Sequence, residues 1–192
     1  MNPQAAAGDP RNFAERYETV LVPVIFEPWA RELIRRAKPQ DGEHILDLAC
    51  GTGVVTRQLA QTALAAGSLT GADFNGDMLE VARNSAENAG IDAQWVEASA
   101  DDLLFPDDRF DLAFCQQALQ FFPDRAAALR ELLRVVKPGG RVAFCVQREL
   151  SCNPLLRAQA NALDKHVGPQ AGDAVRAICS LPDGETIRAL FE

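Results

Sequence analysis

The sequence predicts a doubly wound α/β fold, a mostly parallel sheet with helices on both faces, and two observations carry that reading. Short aliphatic runs alternate with segments of helical period along most of the chain. One such run, Ile45-Leu46-Asp47-Leu48, breaks into the glycine-bearing turn Ala49-Cys50-Gly51-Thr52-Gly53, which opens a helix. In sheets of this kind the ligand crevice lies beyond the carboxyl ends of the strands, where the strand order reverses. With 192 residues, 47% of them hydrophobic, the chain can bury one substantial core.

Taken in order, residues 1–12 are small, polar and proline-bearing, and are expected to be flexible. From Phe13 to Lys38 the pattern is amphipathic, with Tyr17, Leu21, Phe26, Trp29, Leu33 and Ile34 among charged neighbours. Pro23 and Pro28 interrupt it, which predicts two or three short helices covering a sheet face. Glu43 to Ala49 forms the first strand. The helix after Gly53 places Val55, Leu59, Ala63 and Ala66 on one stripe and ends near Gly67. Ser68 to Phe74 is the second strand. Asn75 is a favoured N-cap for a helix that runs to about Ala89, with Gly90 as its stop. Gln94 to Ser99 and Phe110 to Cys115 are the third and fourth strands. Asp124 caps a helix whose stripe is Leu129, Leu132, Leu133 and Val136, and Lys137-Pro138-Gly139-Gly140 breaks it before a fifth strand, Arg141 to Gln147. Residues 13–150 thus make the core. Residues 151–192 read as a helical lid or tail, with a helix over Pro154–Val167, a loop over Gly168–Gly172 and a last helix from Asp183 to Phe191.

Composition narrows the function. Asp and Glu outnumber Lys and Arg by 27 to 19, a net charge of −8, so no broad basic face for nucleic acid is expected and a small-molecule substrate is. Arg35, Arg36 and Lys38, the densest basic group, read as a helix end. The five cysteines, at 50, 115, 145, 152 and 179, form no C-x-x-C pair, which points away from a metal site and a disulfide framework and toward a reducing, cytoplasmic location. Apolar runs are far shorter than the roughly twenty residues that span a bilayer.

The turn itself indicates the ligand. Gly51 and Gly53 let main chain approach a bound molecule. Where a dinucleotide fingerprint would have its third glycine this chain has Thr56, and no phosphate-cradling lysine follows, so diphosphate ligands are disfavoured. Asp73, at the end of the second strand, is spaced to accept hydrogen bonds from the two hydroxyls of a ribose.

These residues resemble the class I S-adenosylmethionine-dependent methyltransferases, within them the group similar to ubiquinone and menaquinone C-methyltransferases, over about residues 10 to 150. ILDLACGTG is similar to the family's first motif, TGADFNGDML to its second, Ala98 to Asp124 to its third and fourth, and Leu132 to Phe144 to its helix, turn and fifth strand. The resemblance implies a Rossmann-like fold and S-adenosyl-L-methionine as cofactor. It implies that Asp47 orders the turn, and that Ala49, Cys50, Gly51 and Gly53 lie against the methionyl part. It places Asp73 on the ribose and Phe74 and Met78 beside the adenine. Ser99, Ala100 and Asp101 meet the adenine edge, and Gln116 faces the sulfonium. Where the family often has Gly-Asp-Ala this chain has Ala98-Ser99-Ala100. In the family the N-terminal segment closes over the cofactor, and two further strands complete the sheet. Nothing here supplies those edge strands, so either the chain is a fragment or its fifth strand is an exposed edge that something covers, a homodimer being one arrangement.

No single catalytic residue stands out, as suits an in-line displacement driven by positioning. Gln117, Gln120, Phe121 and Phe122 suit either a pocket for an apolar acceptor or ordinary packing. Two rival readings stay open: a nicotinamide-dependent oxidoreductase, which Thr56 disfavours, and a cofactor-binding or interaction module without catalysis.

Overall fold

A computed structural model describes residues 10–62, 64–181 and 183–190. Residues 1–9 of the stretch expected to be flexible, Ala63 of the expected stripe and Phe191 of the last expected helix lie outside the described residues. Five strands form one sheet: β1 (His44–Leu48), β2 (Ser68–Asp73), β3 (Gln94–Glu97), β4 (Phe110–Gln116) and β5 (Val136–Cys145). Their order is β3-β2-β1-β4-β5 and every pairing is parallel. The chain winds outward from β1 through β2 to β3, then returns to the other side of β1 for β4 and β5. The reversal falls between β1 and β4, so the crevice expected of this topology opens at their carboxyl ends.

Alternation along the central strands feeds a core on each face. Leu46, Leu48, Ala113 and Cys115 pack with Leu129, Leu132 and Val135 of α5 (Arg125–Val135), and Leu181 from the C-terminal segment joins them. Ile45, Leu112 and Phe114 point the other way, onto Leu33 and Ile34 of α2 (Glu27–Ala37) and Val55 and Leu59 of α3 (Val54–Ala60). Helix α4 (Gly76–Asn88) packs on β2 and β3. Two predicted caps form: Asn75 accepts from the N–H groups of Asp77 and Met78, and Asp124 from that of Ala127, each contributing about 1 kcal/mol. Among the described residues no helix is long and apolar enough to cross a membrane.

The structure corrects the local reading at several places. The N-terminal segment is not broken at its prolines. Helix α1 (Pro10–Arg16) runs into a π-helical stretch, Tyr17–Phe26, and on into α2. Pro23 lies inside the π stretch, where hydrogen bonds reach five residues back, as from Glu27 N–H to Val22 C=O, and the wider turn gives the ring room. Pro28 sits where the π pattern hands over to α. Helix α3 ends at Ala60, well before Gly67. Strand β5 starts at Val136, before the Lys-Pro-Gly-Gly run rather than after it, and its register with β4 slips between Phe110 and Leu112. Gly139 takes φ +81°, and a Cβ on Gly140 would stand 2.9 Å from the Asp111 and Lys137 carbonyls, so only glycines let the strand pass there. Strand β3 stops at Glu97, and Ser99 makes an isolated bridge to Asp102. Beyond β5 lie α6 (Pro154–His166), α7 (Asp173–Ala177) and α8 (Gly184–Arg188), with Arg176 of α7 joined to Asp164 of α6 and, within its own helix, to Asp173.

Candidate active site

At the end of β1 the chain turns with Ala49, Gly51 and Gly53 all in the left-handed region, at φ +53°, +55° and +79°. The turn is held from below. Asp47 is buried and its Oδ2 accepts from both the N–H and the hydroxyl of Thr56, fixing the start of α3. Burial pushes the Asp47 carboxyl up to about 7, against the pull of those two hydrogen bonds. Cys50 N–H donates to Ala72 C=O and Gly53 N–H to Cys50 C=O. Gly51, by contrast, presents bare main chain: a Cβ there would meet nothing nearer than the Tyr17 ring and hydroxyl, each 4.0 Å away.

Beyond the turn is a cavity of about 600 Å³, within the size range of small-molecule sites. The ends of four segments build it. Ala49 and Gly51 come from β1 and its turn, Asp73, Phe74 and Met78 from β2 and the start of α4, Ser99, Ala100 and Asp101 from the loop after β3, and Gln116 from β4. The cavity therefore gathers most of the positions read from sequence. Asp47, Cys50 and Gly53 are the exceptions and do not line it. Asp47 faces α3. Cys50 is tucked beneath the turn, where burial holds its thiol well above the usual range. Packing requires glycine at Gly53: a Cβ on it would stand 2.3 Å from the Trp95 ring, and one on Gly71 2.5 Å from the same ring. The β3 indole lies across both glycines, a long-range contact invisible in local spacing.

Asp73 is the hub. The residue is 7% exposed, Oδ2 accepts from Gly51 N–H at 2.8 Å and Oδ1 from Asn75 N–H at 2.9 Å. Burial raises its pKa while these backbone donors lower it. It ties the glycine turn to β2, and a carboxylate, with about four acceptor positions, has capacity beyond these backbone donors. Ser99 Oγ donates to the Asp101 carboxylate. Asp73, Asp101 and Asp124 line the cavity, and no Lys, Arg or His does among the described residues. The field is therefore negative, suited to a cationic centre such as a sulfonium. Bare main chain at Gly51 and a buried carboxylate one strand over fit the methionyl and ribose parts of S-adenosylmethionine.

Two features went unread as site elements. Tyr17 lines the cavity from the N-terminal helix, its ring stacked on Phe26 with centroids 4.9 Å apart. That helix is fastened over the site by Gln116, whose Nε2 donates to Phe26 C=O at 2.8 Å, and by a half-buried pair between Arg57 and Glu18 at 2.6 Å. Arg57 also donates to Thr52 C=O within the turn. Gln117, Phe121 and Phe122 form the far wall, Phe122 packing against the core as well; Gln120 is buried outside it. Tyr17 is the only tyrosine in the chain, yet its helical spacing reads as sheet-covering packing. The two histidines are elsewhere: His44 bonds Ser68 at the opposite end of β1, and His166 ends α6.

The model of the ubiE/COQ5 methyltransferase family matches residues 13–181. The ubiquinone/menaquinone biosynthesis C-methyltransferase UbiE of Cronobacter sakazakii is 33% identical over 85% of this chain and 70% of its own length. UbiE of Proteus mirabilis is 31% identical over 88% and 72%. A solved structure from Methanococcus maripaludis, described as an S-adenosyl-L-methionine-dependent methyltransferase, superposes with TM-score 0.67 at 22% identity, covering 94% of this chain and 80% of that one, a likeness of fold. These matches decide between methyl transfer and the nicotinamide reading. The chain belongs to the ubiE/COQ5 methyltransferase family and is an S-adenosylmethionine-dependent methyltransferase acting on a small-molecule acceptor.

Proposed function

We propose that the acceptor is a hydroxylated aromatic ring, a quinone precursor, methylated at a ring carbon. The aromatic far wall of the cavity carries this reading: Phe121 and Phe122 stand beyond Gln116, where an apolar ring can lie next to a polar cofactor end. The names of the similar enzymes point to the same chemistry.

In this reading Asp73 accepts from the ribose hydroxyls, and Ala49 and Gly51 bed the methionyl part. Phe74 and Met78 flank the adenine, whose edge meets Ser99, Ala100 and Asp101. Gln116 stands at the sulfonium end, while Asp47, Cys50 and Gly53 support the turn from beneath. When bound, S-adenosylmethionine supplies an electrophilic methyl group. The chain's contribution is to align the acceptor with it and to exclude water beneath the N-terminal helix. A net charge of −8 favours this small acceptor over nucleic acid, and the reading includes a cytoplasmic homodimer.

Incubating the protein with methyl-labelled cofactor and a naphthoquinol should give a labelled methyl group bonded to a ring carbon, in place of that carbon's proton. Label recovered only at oxygen would refute C-methylation. Cofactor binding without transfer to any aromatic acceptor would favour the non-catalytic module. Sedimentation showing a single species of monomer mass would remove the dimer.

A further inference from the structure

We propose that the Tyr17 hydroxyl is the side-chain donor that receives the α-carboxylate of the cofactor's methionyl half; this rests on the cofactor reading given above. The methionyl part bears a carboxylate, and the cavity it must enter is lined by Asp73 and Asp101 with no Lys, Arg or His among the described residues. A carboxylate placed there needs hydrogen-bond donors.

Around the turn most donors are committed, and the one unpartnered hydroxyl, that of Thr52, is buried away from the cavity. Gly51 N–H is held by Asp73, Cys50 N–H by Ala72 C=O, and Gly53 N–H by Cys50 C=O. The N–H and hydroxyl of Thr56 go to Asp47, and Arg57 is divided between Thr52 C=O and Glu18. Thr52 is 1% exposed and does not line the cavity.

Tyr17 differs. It lines the cavity, its hydroxyl stands 4.0 Å from where a Cβ on Gly51 would be, and it hydrogen-bonds no described residue. Stacking on Phe26 fixes the ring, and the helix that carries it is fastened at Phe26 and Glu18, so the hydroxyl is placed before any ligand arrives. Burial, helped by Asp73, Glu18 and Asp47, raises its pKa, so it keeps its proton and donates. Tyr17 is thus a positioning residue for the amino-acid half, supplied by the covering helix rather than by the sheet.

Tyr17→Phe keeps the ring and its stacking and removes only the hydroxyl. Calorimetry should compare S-adenosylhomocysteine with S-adenosyl-3-thiopropylamine, which lacks the carboxylate but keeps the amine. The variant should bind S-adenosylhomocysteine about 10- to 100-fold more weakly, as expected for losing a hydrogen bond to a charged group, with the decarboxylated ligand changed less than about twofold. Equal weakening of both ligands, or of neither, would overturn the assignment. Wild-type protein that bound neither nucleoside would overturn the cofactor reading itself, a failure visible before the variant is made.

Discussion

Gly53→Ala tests the packing of the glycine turn. Alanine would have to hold φ near +79°, which costs an L-residue about 1–2 kcal/mol, and its Cβ would be driven to 2.3 Å from the Trp95 ring. Overpacking of a tight site costs about 1–3 kcal/mol, because the indole is wedged against Gly71 as well and has little room to retreat. The expected loss is therefore about 2–5 kcal/mol, a large share of the total stability of a domain this size. Urea unfolding followed by far-ultraviolet circular dichroism measures it. The contact account adds a second requirement: in Trp95→Ala the alanine at 53 should do less damage, with a coupling of about 1–3 kcal/mol. A loss in Gly53→Ala below about 0.5 kcal/mol, or strict additivity with Trp95→Ala, would refute both the geometry and the inference that packing requires glycine there.

Two further outcomes follow from the same site. Asp73→Ala removes the acceptor of the Gly51 and Asn75 N–H groups and the proposed ribose contact, so calorimetry should find S-adenosylhomocysteine bound at least about 100-fold more weakly; unchanged affinity in folded protein would remove the ribose role. Burial lifts the Asp47 carboxyl to about 7, far above its unfolded value, so the native state binds the extra proton in between. Its stabilising contribution is full below about pH 4 and is lost as the pH rises through about 7, by up to about 4 kcal/mol. Relative to Asp47→Asn, wild-type stability in urea should decline across that window, and parallel pH profiles for the two proteins would count against it.

Much of the architecture could be read from sequence because it is written locally. Strand alternation, the caps at Asn75 and Asp124 and the turn after β1 each occupy a few neighbouring residues and require no knowledge of partners. What escaped depends on distance. Pro23 and Pro28 read as breaks because sequence does not announce a π pattern that accommodates them. The packing demand on Gly53 escaped because Trp95, which imposes it, arrives from β3. Tyr17 read as packing because only the folded helix carries it over Gly51. The Lys-Pro-Gly-Gly run read as a stop, though glycines can also be what allows a strand to continue past a crowded carbonyl.

The carboxylate of Asp73 shapes the seat at Gly51 with one oxygen and steadies the entry to α4, at Asn75, with the other. With the ribose role proposed above, sugar recognition and the contour of the neighbouring loop share a single side chain. An engineer who swaps that side chain to admit a differently decorated nucleoside will remodel the adjoining loop in the same stroke, so a change at Asp73 calls for a compensating one in the loop at Asn75.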